Sequence, residues 1–350
     1  MRAEDILVPT PAGLWSPAAE VHIDPVRPVP RALITHGHSD HARAGHGAVL
    51  ATADTLAIMA ARYGTGFAGT TQAVGYGETG QIGGATVTFF PAGHCLGSAQ
   101  ILLEAGGRRV VVSGDYKRER DPTCAPFELV RCDVFVTEAT FGLPVFRFPP
   151  ATDEIARLLG SLALFPDRTH MLGAYSLGKA QRLIALLREA GYDRPIHLHG
   201  AMVALCRLYE ERGVPLGPLA PVEGRTSGRE KPALPGEIVL CPPSTLGDRW
   251  SRRFADPVSS FASGWMRVRA RARQRGVELP LVVSDHADWE DLCTTVAETG
   301  ASEIWVTHGE EDALVHWCLT HGIAARPLRL VGYGDEEEGA APTETEAAPA

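Results

Sequence analysis

Short apolar runs along much of this chain end abruptly on ionisable residues. "RALITH", "ATVTFFPAGH", "QILLEAGGRRVVVSGD" and "CDVFVTEAT" are rich in Val, Ile, Thr and Phe, which predicts strands that deliver polar side chains at their ends. Between them, "TADTLAIMAARYG" repeats its apolar positions at helical spacing and closes on Gly64, a predicted C-cap. From Val21 to about Thr140 the pattern therefore predicts a sandwich of sheets flanked by helices.

The texture changes after "FRFPPATDE". "TDEIARLLGSLAL" and "SLGKAQRLIALLREAG" read as amphipathic helices, the second closed by Gly191, and alternate with the strands "HMLGAY", "PIHLHG" and "GEIVLCPPS". "SGWMRVRARARQRGV" predicts one more helix. "LPLVVSDHADWEDL" and "SEIWVTHGEEDALVHWCL" then return to the first texture, bringing His286 and His308 to loops that are each followed by a helix. The expected organisation is an outer domain formed by residues 1–148 and 281–334, an inserted α/β domain at 149–280, and a tail at 335–350.

Composition changes this picture little. With 45% hydrophobic and 21% charged residues the chain is an ordinary globular one. The tail holds six acids and no base, so it carries six of the nine net negative charges, and its Ala/Pro/Thr/Glu content predicts disorder. The acidic balance therefore does not exclude a nucleic-acid partner. No run approaches the ~18–20 apolar residues of a membrane span. The N-terminal "MRAEDILVPT" lacks a signal-peptide core, which predicts a cytoplasmic protein with no membrane partner. Seven cysteines without a C-x-x-C pair read as reduced, buried thiols, Cys95 included, rather than metal ligands.

The chemistry lies in "ALITHGHSDHARAGHG" and the later strand ends. His36, His38, Asp40, His41, His94, Asp115, Glu138, His286 and His308 all stand where apolar runs stop. Imidazole nitrogen with carboxylate oxygen suits zinc, although cobalt, manganese or iron fit similar sets. An extended H-x-H-x-D-H loop lets His36 and His38 share one metal while Asp40 and His41 turn to a second. A carboxylate such as Asp115 then bridges two metals about 3.5–4 Å apart, as in-line attack on phosphorus requires. His46, five positions beyond His41, points away and reads as structural, as do His22, His170, His197, His199, His316 and His321.

"THGHSDH", "PAGHCLGS", "SGDY", "TEATFG", "SDHADW" and "VTHGE", in that order, resemble the metallo-β-lactamase superfamily and, within it, the β-CASP nucleases. "HIDPVRPV", "GAYSLGKAQRLI" and "FASGWMRVR" bring the resemblance closest to bacterial DNA ligase-associated exonucleases, from about Trp15 to Gly332. The resemblance implies a metallo-β-lactamase αββα sandwich with an inserted small β-CASP cap. It implies two zinc ions, one on His36, His38, His94 and Asp115, the other on Asp40, His41, Asp115 and His308. Asp24 would support the ligands without being one. His286 would protonate the leaving oxygen and Glu138 would orient it, with Asp40 completing the catalytic set. The DNA cross-link repair branch typically lacks a histidine at the place of His308, so the second site here should be fuller.

The implied activity is DNA hydrolysis by metal-activated water, with 5′ exonuclease action favoured and single-strand endonuclease action compatible. Single-stranded or free-ended DNA is the implied partner, with a DNA ligase and a helicase of the same repair pathway. Arg267, Arg271 and Arg275, spaced for one helical face, form a candidate phosphate track, and Ser176 and Lys179 in "YSLGKAQR" form a candidate phosphate-binding helix start. Phe261 and Trp265 read as core before base-stacking platforms. An RNA-processing nuclease of the same fold and a non-catalytic repair scaffold remain alternatives. A thioesterase or lactonase is disfavoured by the insert and the Glu138/His286 pair.

Overall fold

The structure, a computed structural model, describes residues 2–222 and 234–330. The predicted acidic tail, residues 335–350, lies outside the described residues. The α/β expectation holds, in three sheets.

The first sheet runs in order Val8–Thr10, Gly13–Ser16, Val21–Ile23, Arg31–Leu33, His46–Thr52 and Ala68–Val74. The second runs Ala324–Pro327, Glu303–Gly309, Val134–Ala139, Arg108–Val112, Ala99–Ala105, Ala85–Pro91 and Thr79–Ile82. They meet through one apolar layer that includes Leu14, Ile23, Leu33, Val87, Phe89 and Trp305. Helix Ala53–Tyr63 covers the outer face of the first sheet, where Met59 packs with Val49 and Ala51. Helices Trp289–Thr299 and Glu311–Thr320 cover the second, where Leu292 and Leu314 pack with Phe135 and Ile304. Period-two alternation explains the uninterrupted apolar runs. Val110, Val112, Val134 and Val136 face the middle layer, while Val111 and Phe135 face the outer helices.

The third sheet is wholly parallel, in order Leu219–Pro221, Ile196–Leu198, Ile238–Cys241, His170–Gly173, Val258–Ala262 and Leu279–Leu281. Helices Ala151–Leu164, Lys179–Glu189 and Gly200–Glu211 share a core with its Leu172, Leu240 and Ile196. Its other face packs Met171, Val239 and Cys241 on Phe254.

Two readings of single elements fail. "QILLEAGGRRVVVSGD" is a hairpin rather than one strand, because Gly106 and Gly107 take positive φ (55° and 76°) and pair Ala105 with Arg108. Two consecutive positive φ values define the tight hairpin turn. "SGWMRVRARARQRGV" is also broken. A 3-10 turn, Gly264–Arg267, stops at Val268 (φ −90°, ψ 101°), and the α-helix covers only Arg269–Gln274. Helix Gly200–Glu211 and strand Val258–Ala262 escaped the sequence reading. No helix among the described residues is long and apolar enough to cross a membrane.

Helix Gly200–Glu211 also ties the third sheet to the sandwich. The Arg212 guanidinium lies 3.4 Å from the Asp54 carboxylate, and the buried Tyr209 hydroxyl accepts the Leu96 N–H at 3.2 Å. Tyr209→Phe strands that buried N–H, so urea unfolding should show a loss of about 1–3 kcal/mol. An unchanged midpoint would mean that the contact does not hold the two parts together.

Candidate metal centre

The strand ends converge. Asp24, in the left-handed region at φ 44°, organises the loop after Arg31–Leu33. Its Oδ1 accepts the Thr35 N–H at 2.8 Å, and its Oδ2 accepts the Thr35 hydroxyl at 2.5 Å and His41 Nδ1–H at 2.8 Å. The Thr35 hydroxyl proton is thereby committed, so at 3.1 Å its oxygen can only accept from His36 Nδ1–H. Two glycines let the neighbouring loops close in. A Cβ on Gly114 would lie 2.7 Å from the Thr35 side chain, and one on Gly93 would lie 2.3 Å from the Lys117 carbonyl. Those glycines immediately precede Asp115 and His94.

The hydrogen bonds fix the tautomers. A carbonyl only accepts, so His38 Nε2 carries the proton given to the Leu177 carbonyl at 3.2 Å, and His94 Nδ1 carries the one given to the Asp285 carbonyl at 2.9 Å. In the neutral rings the remaining nitrogens, His38 Nδ1 and His94 Nε2, are bare, yet they face each other at 2.9 Å. His36 Nε2 is likewise bare, has no hydrogen-bond partner, and lies 3.3 Å from Asp115 Oδ2. Lone pairs aimed at lone pairs repel unless a cation lies among them. His36, His38, His94 and Asp115 put one ligand atom each within 4.8 Å of one another, and all are buried.

Charge preferences agree. Burial, helped by the neighbouring His286 and His38 rings, lowers His94 to a pKa of about 3, and burial beside His41 lowers His308 to about 3. Burial and the His41 ring hold His36 well below the usual range. His41 moves the other way although it shares Asp115 with His36. Burial opposes its protonation, but Asp115, Asp40 and Asp24 outweigh that and hold it well above the usual value. Its Nε2 lies 3.4 Å from Asp115 Oδ2 and 3.6 Å from Asp40 Oδ2, so this spot favours positive charge. Burial works against ionised Asp115, but the His41 and His36 rings hold its carboxyl well below the carboxylate range.

His308 reaches the group through a bulge. In the parallel pairing of Val134–Ala139 with Glu303–Gly309, Glu138 faces Thr307 and Ala139 faces Gly309, leaving His308 as the extra residue at φ 58°. Its ring then stacks on His41 at 4.9 Å. Across the group, His286 Nδ1–H donates to Glu138 Oε2 at 2.9 Å, and the Tyr116 N–H fixes Glu138 Oε1 at 2.8 Å. The His286 ring centroid lies 4.7 Å from that of His94.

Other predicted residues fare differently. His46 opens strand His46–Thr52, and its Nδ1 accepts the Val29 N–H at 3.3 Å, far from any ligand role. All seven cysteines are free thiols. Lys179 is not available to a phosphate. It is 1% exposed, 3.3 Å from Asp285 Oδ2, and donates to the Val283 carbonyl at 3.3 Å, because the first helical turn packs into the interface. Ser176 is not a helix cap, since the N-cap is Gly178. It sits half-buried in the preceding turn, beside a Gly178 whose Cβ would stand 3.9 Å from His38 Nε2.

Arg267, Arg271 and Arg275 form no single helical face, but two of them border one aromatic cluster. Arg271 stacks 3.9 Å over Trp265, Arg275 lies 5.2 Å over Phe261, and Arg267 Nε donates to Val145 at 3.4 Å. Phe141 links this cluster to the site, with ring centroids 4.9 Å from Trp265 and 6.0 Å from His286. The sequence reading missed Thr35 and the Asp285 carbonyl as orienters of the rings. Thr35 adjoins the quoted motif, but a backbone carbonyl leaves no residue-type signal.

No family model matches the chain. Over 305 residues, 85% of its length, it is 31% identical to a Probable DNA ligase of Opitutus terrae, of which that stretch is 28%. Over 129 residues, 35% of its length, it is 32% identical to Endoribonuclease ysh1 of Aspergillus fumigatus, of which that stretch is 15%. A stretch of 126 residues is 30% identical to Cleavage and polyadenylation specificity factor subunit 3 of Dictyostelium discoideum, covering 35% of this chain and 16% of that one. The chain thus spans less than a third of each of these relatives. They support the β-CASP resemblance carried by the motifs. Among solved structures, a protein of unknown function from Enterococcus faecalis V583 shares the fold, with a TM-score of 0.56 over 85% of this chain and 78% of that one, at 15% identity.

Metal analysis tests the site directly. After dialysis against zinc, His94→Ala should lose about one metal equivalent relative to the parent chain, and His46→Ala none. Equal metal content in the parent and His94→Ala would remove His94 from the ligand set.

Proposed function

We propose that the protein is a two-metal DNA nuclease of the β-CASP class, closest to the DNA ligase-associated exonucleases, with residues 149–280 as its cap. The observation that carries the reading is the convergence of bare imidazole nitrogens on Asp115, beside a hydrogen-bonded His286–Glu138 pair whose own polar atoms also lie within 4.8 Å of Asp115. His36, His38, His94 and Asp115 would hold one cation, and Asp40, His41, Asp115 and His308 the other. Zinc suits this nitrogen-rich donor set, and manganese, cobalt or iron are compatible. Two divalent cations supply an activated water at neutral pH and neutralise charge on the phosphate oxygens.

The protein's own groups do the rest. With His286 protonated, Nδ1–H stays on Glu138 Oε2 and Nε2–H is left to pass a proton to the departing oxygen. The Glu138 carboxylate cannot swing away, because the Tyr116 N–H holds its other oxygen, and it stabilises the imidazolium throughout. Asp24 keeps His41 oriented, as Thr35 does His36. The strand of nucleic acid would approach past Phe141 and Trp265, with Arg271, Arg275 and Arg267 meeting its phosphates and Ser176 near the scissile one.

DNA is preferred because the relative aligned over most of the chain is named a DNA ligase, whereas those named endoribonucleases align over about a third. In that relative the matched stretch is part of one longer polypeptide, which supports a DNA ligase as partner. A helicase partner rests on the resemblance alone. The endoribonuclease likeness favours RNA as the second reading.

End-labelled single-stranded DNA and the matched RNA, digested in parallel with zinc or manganese, test the proposal. DNA should be cut faster, shortening from the 5′ end. His286→Ala should lower kcat by about 10²–10⁴. Arg271→Ala should chiefly raise KM and reduce the salt slope by about one. Faster cutting of RNA would overturn the DNA assignment, and full activity of His286→Ala would overturn the proton donor.

A further inference from the structure

Between the third sheet and the sandwich lies a buried ionic cluster that the reaction above does not use. Lys179 and Arg182, on one face of helix Lys179–Glu189, are 1% and 0% exposed. Both grip the segment that leaves strand Leu279–Leu281. Lys179 Nζ donates to the Val283 carbonyl at 3.3 Å, and Arg182 Nη1 donates to the Ser284 carbonyl at 2.5 Å. The Asp285 carboxylate, 3% exposed, completes the grip, with Oδ2 3.3 Å from Lys179 Nζ and Oδ1 3.7 Å from Arg182 Nη1. Three successive residues are thus pinned by two buried cations.

The backbone of this segment reaches the metal centre. The Asp285 carbonyl takes the His94 Nδ1 proton at 2.9 Å, and the next residue is His286, whose N–H is held by the Ser284 hydroxyl at 3.0 Å. The acceptor opposite a ligating imidazole sets its tautomer and ring direction. A shift of Asp285 would therefore turn a ligand and displace the proton donor together. On the opposite side of Arg182, Asp121 Oδ2 stands 4.0 Å from Nε and Glu119 Oε2 accepts from Nη2 at 2.6 Å. These two carboxylates balance the same buried charge without touching the metal group by any bond described above.

We propose that Asp285 is a positioning residue. Its side chain locks onto Lys179 and Arg182, and its carbonyl thereby fixes the direction of His94 while its chain neighbour places His286. The inference rests on the reading of this site as a metal centre, and it assigns to the cap helix a part in setting that centre.

The test compares Asp285→Asn with Asp121→Asn in the full chain. Each removes one buried carboxylate charge beside Arg182, so denaturant unfolding should report a loss of stability in both. Cobalt(II) titration of the metal-free protein, followed by the ligand-field absorption of the bound ion, separates them. Asp285→Asn should weaken cobalt binding about 10–100-fold and change the spectrum, while Asp121→Asn should bind cobalt as the parent does. On single-stranded DNA, Asp285→Asn should lower kcat about tenfold or more with KM within about twofold, as expected when positioning rather than substrate binding is lost. Parent-like cobalt binding by Asp285→Asn overturns the proposal, as does an equal loss in Asp121→Asn.

Should Asp285→Asn not fold, Lys179→Gln carries the same test. It releases one of the two grips, so weaker cobalt binding supports the proposal and parent-like binding overturns it. Cobalt binding judges Asp285 whatever the substrate. A parent chain that binds cobalt but cuts no phosphodiester overturns only the nuclease reading, and one that binds no cobalt overturns both.

Discussion

Everything at the centre of this molecule answers to one constraint: a buried carboxylate, Asp115, is ringed by imidazoles whose outer nitrogens are already committed. Withdrawing such groups from water is costly unless each polar atom finds a partner. On the outer side those partners are oxygens: Thr35 for His36, the Leu177 carbonyl for His38, Asp24 for His41 and the Asp285 carbonyl for His94. On the inner side the rings face one another and the carboxylate, an arrangement that a cation relieves; protonation is favoured at His41 beside Asp115 but not at His94 or His36, which burial holds neutral. The strained backbone follows from the same demand. Asp24 at φ 44° and His308 at φ 58° are conformations L-residues adopt rarely, and both bring a side chain to this group.

How much of this could be read from the sequence depended on whether a role needs a particular side chain. Metal ligation and proton donation do, and so His36, His38, Asp40, His41, His94, Asp115, Glu138, His286 and His308 stood out as residue types at the ends of apolar runs. The structure gathers them in one place, although their individual roles remain part of the proposal. Roles played by backbone left no trace. The Asp285 carbonyl that orients His94 could belong to any residue, and "SDHADW" drew attention only to its histidine. Direction was equally illegible. Lys179 at a helix start suggested a phosphate ligand, but the sequence does not tell which way the first turn faces, and it faces a buried carboxylate.

Secondary structure followed the same rule. Both-face burial made the strands of the second sheet read as plain apolar runs, which concealed a hairpin whose turn is two glycines. The arginine-rich segment had good helical spacing, but its first part packs Trp265 and Met266 against Phe141. A Cβ on Gly264 would come 2.4 Å from the Phe141 ring, so only glycine lets the chain pack this closely there. Tertiary packing overrode propensity, and Arg271 and Arg275 ended up around an aromatic cluster instead of along one helix with Arg267.

The buried ions between the third sheet and the sandwich raise a separate question, because stability does not explain them. Replacing a buried ion pair with well-packed apolar groups is often neutral or favourable, whereas removing one partner is strongly destabilising. What the ions supply is direction. Apolar contacts would tolerate a sliding of one surface over the other by a fraction of a residue. Lys179 and Arg182, each bonded to a carbonyl and facing the Asp285 carboxylate, tolerate no such slide, since any would leave charge unpaired in a medium of low dielectric. The Leu96–Tyr209 contact limits movement at a second point, near His94 on the opposite chain segment. The loops carrying His94 and His286 are thus tied at two places to the helices of the third sheet.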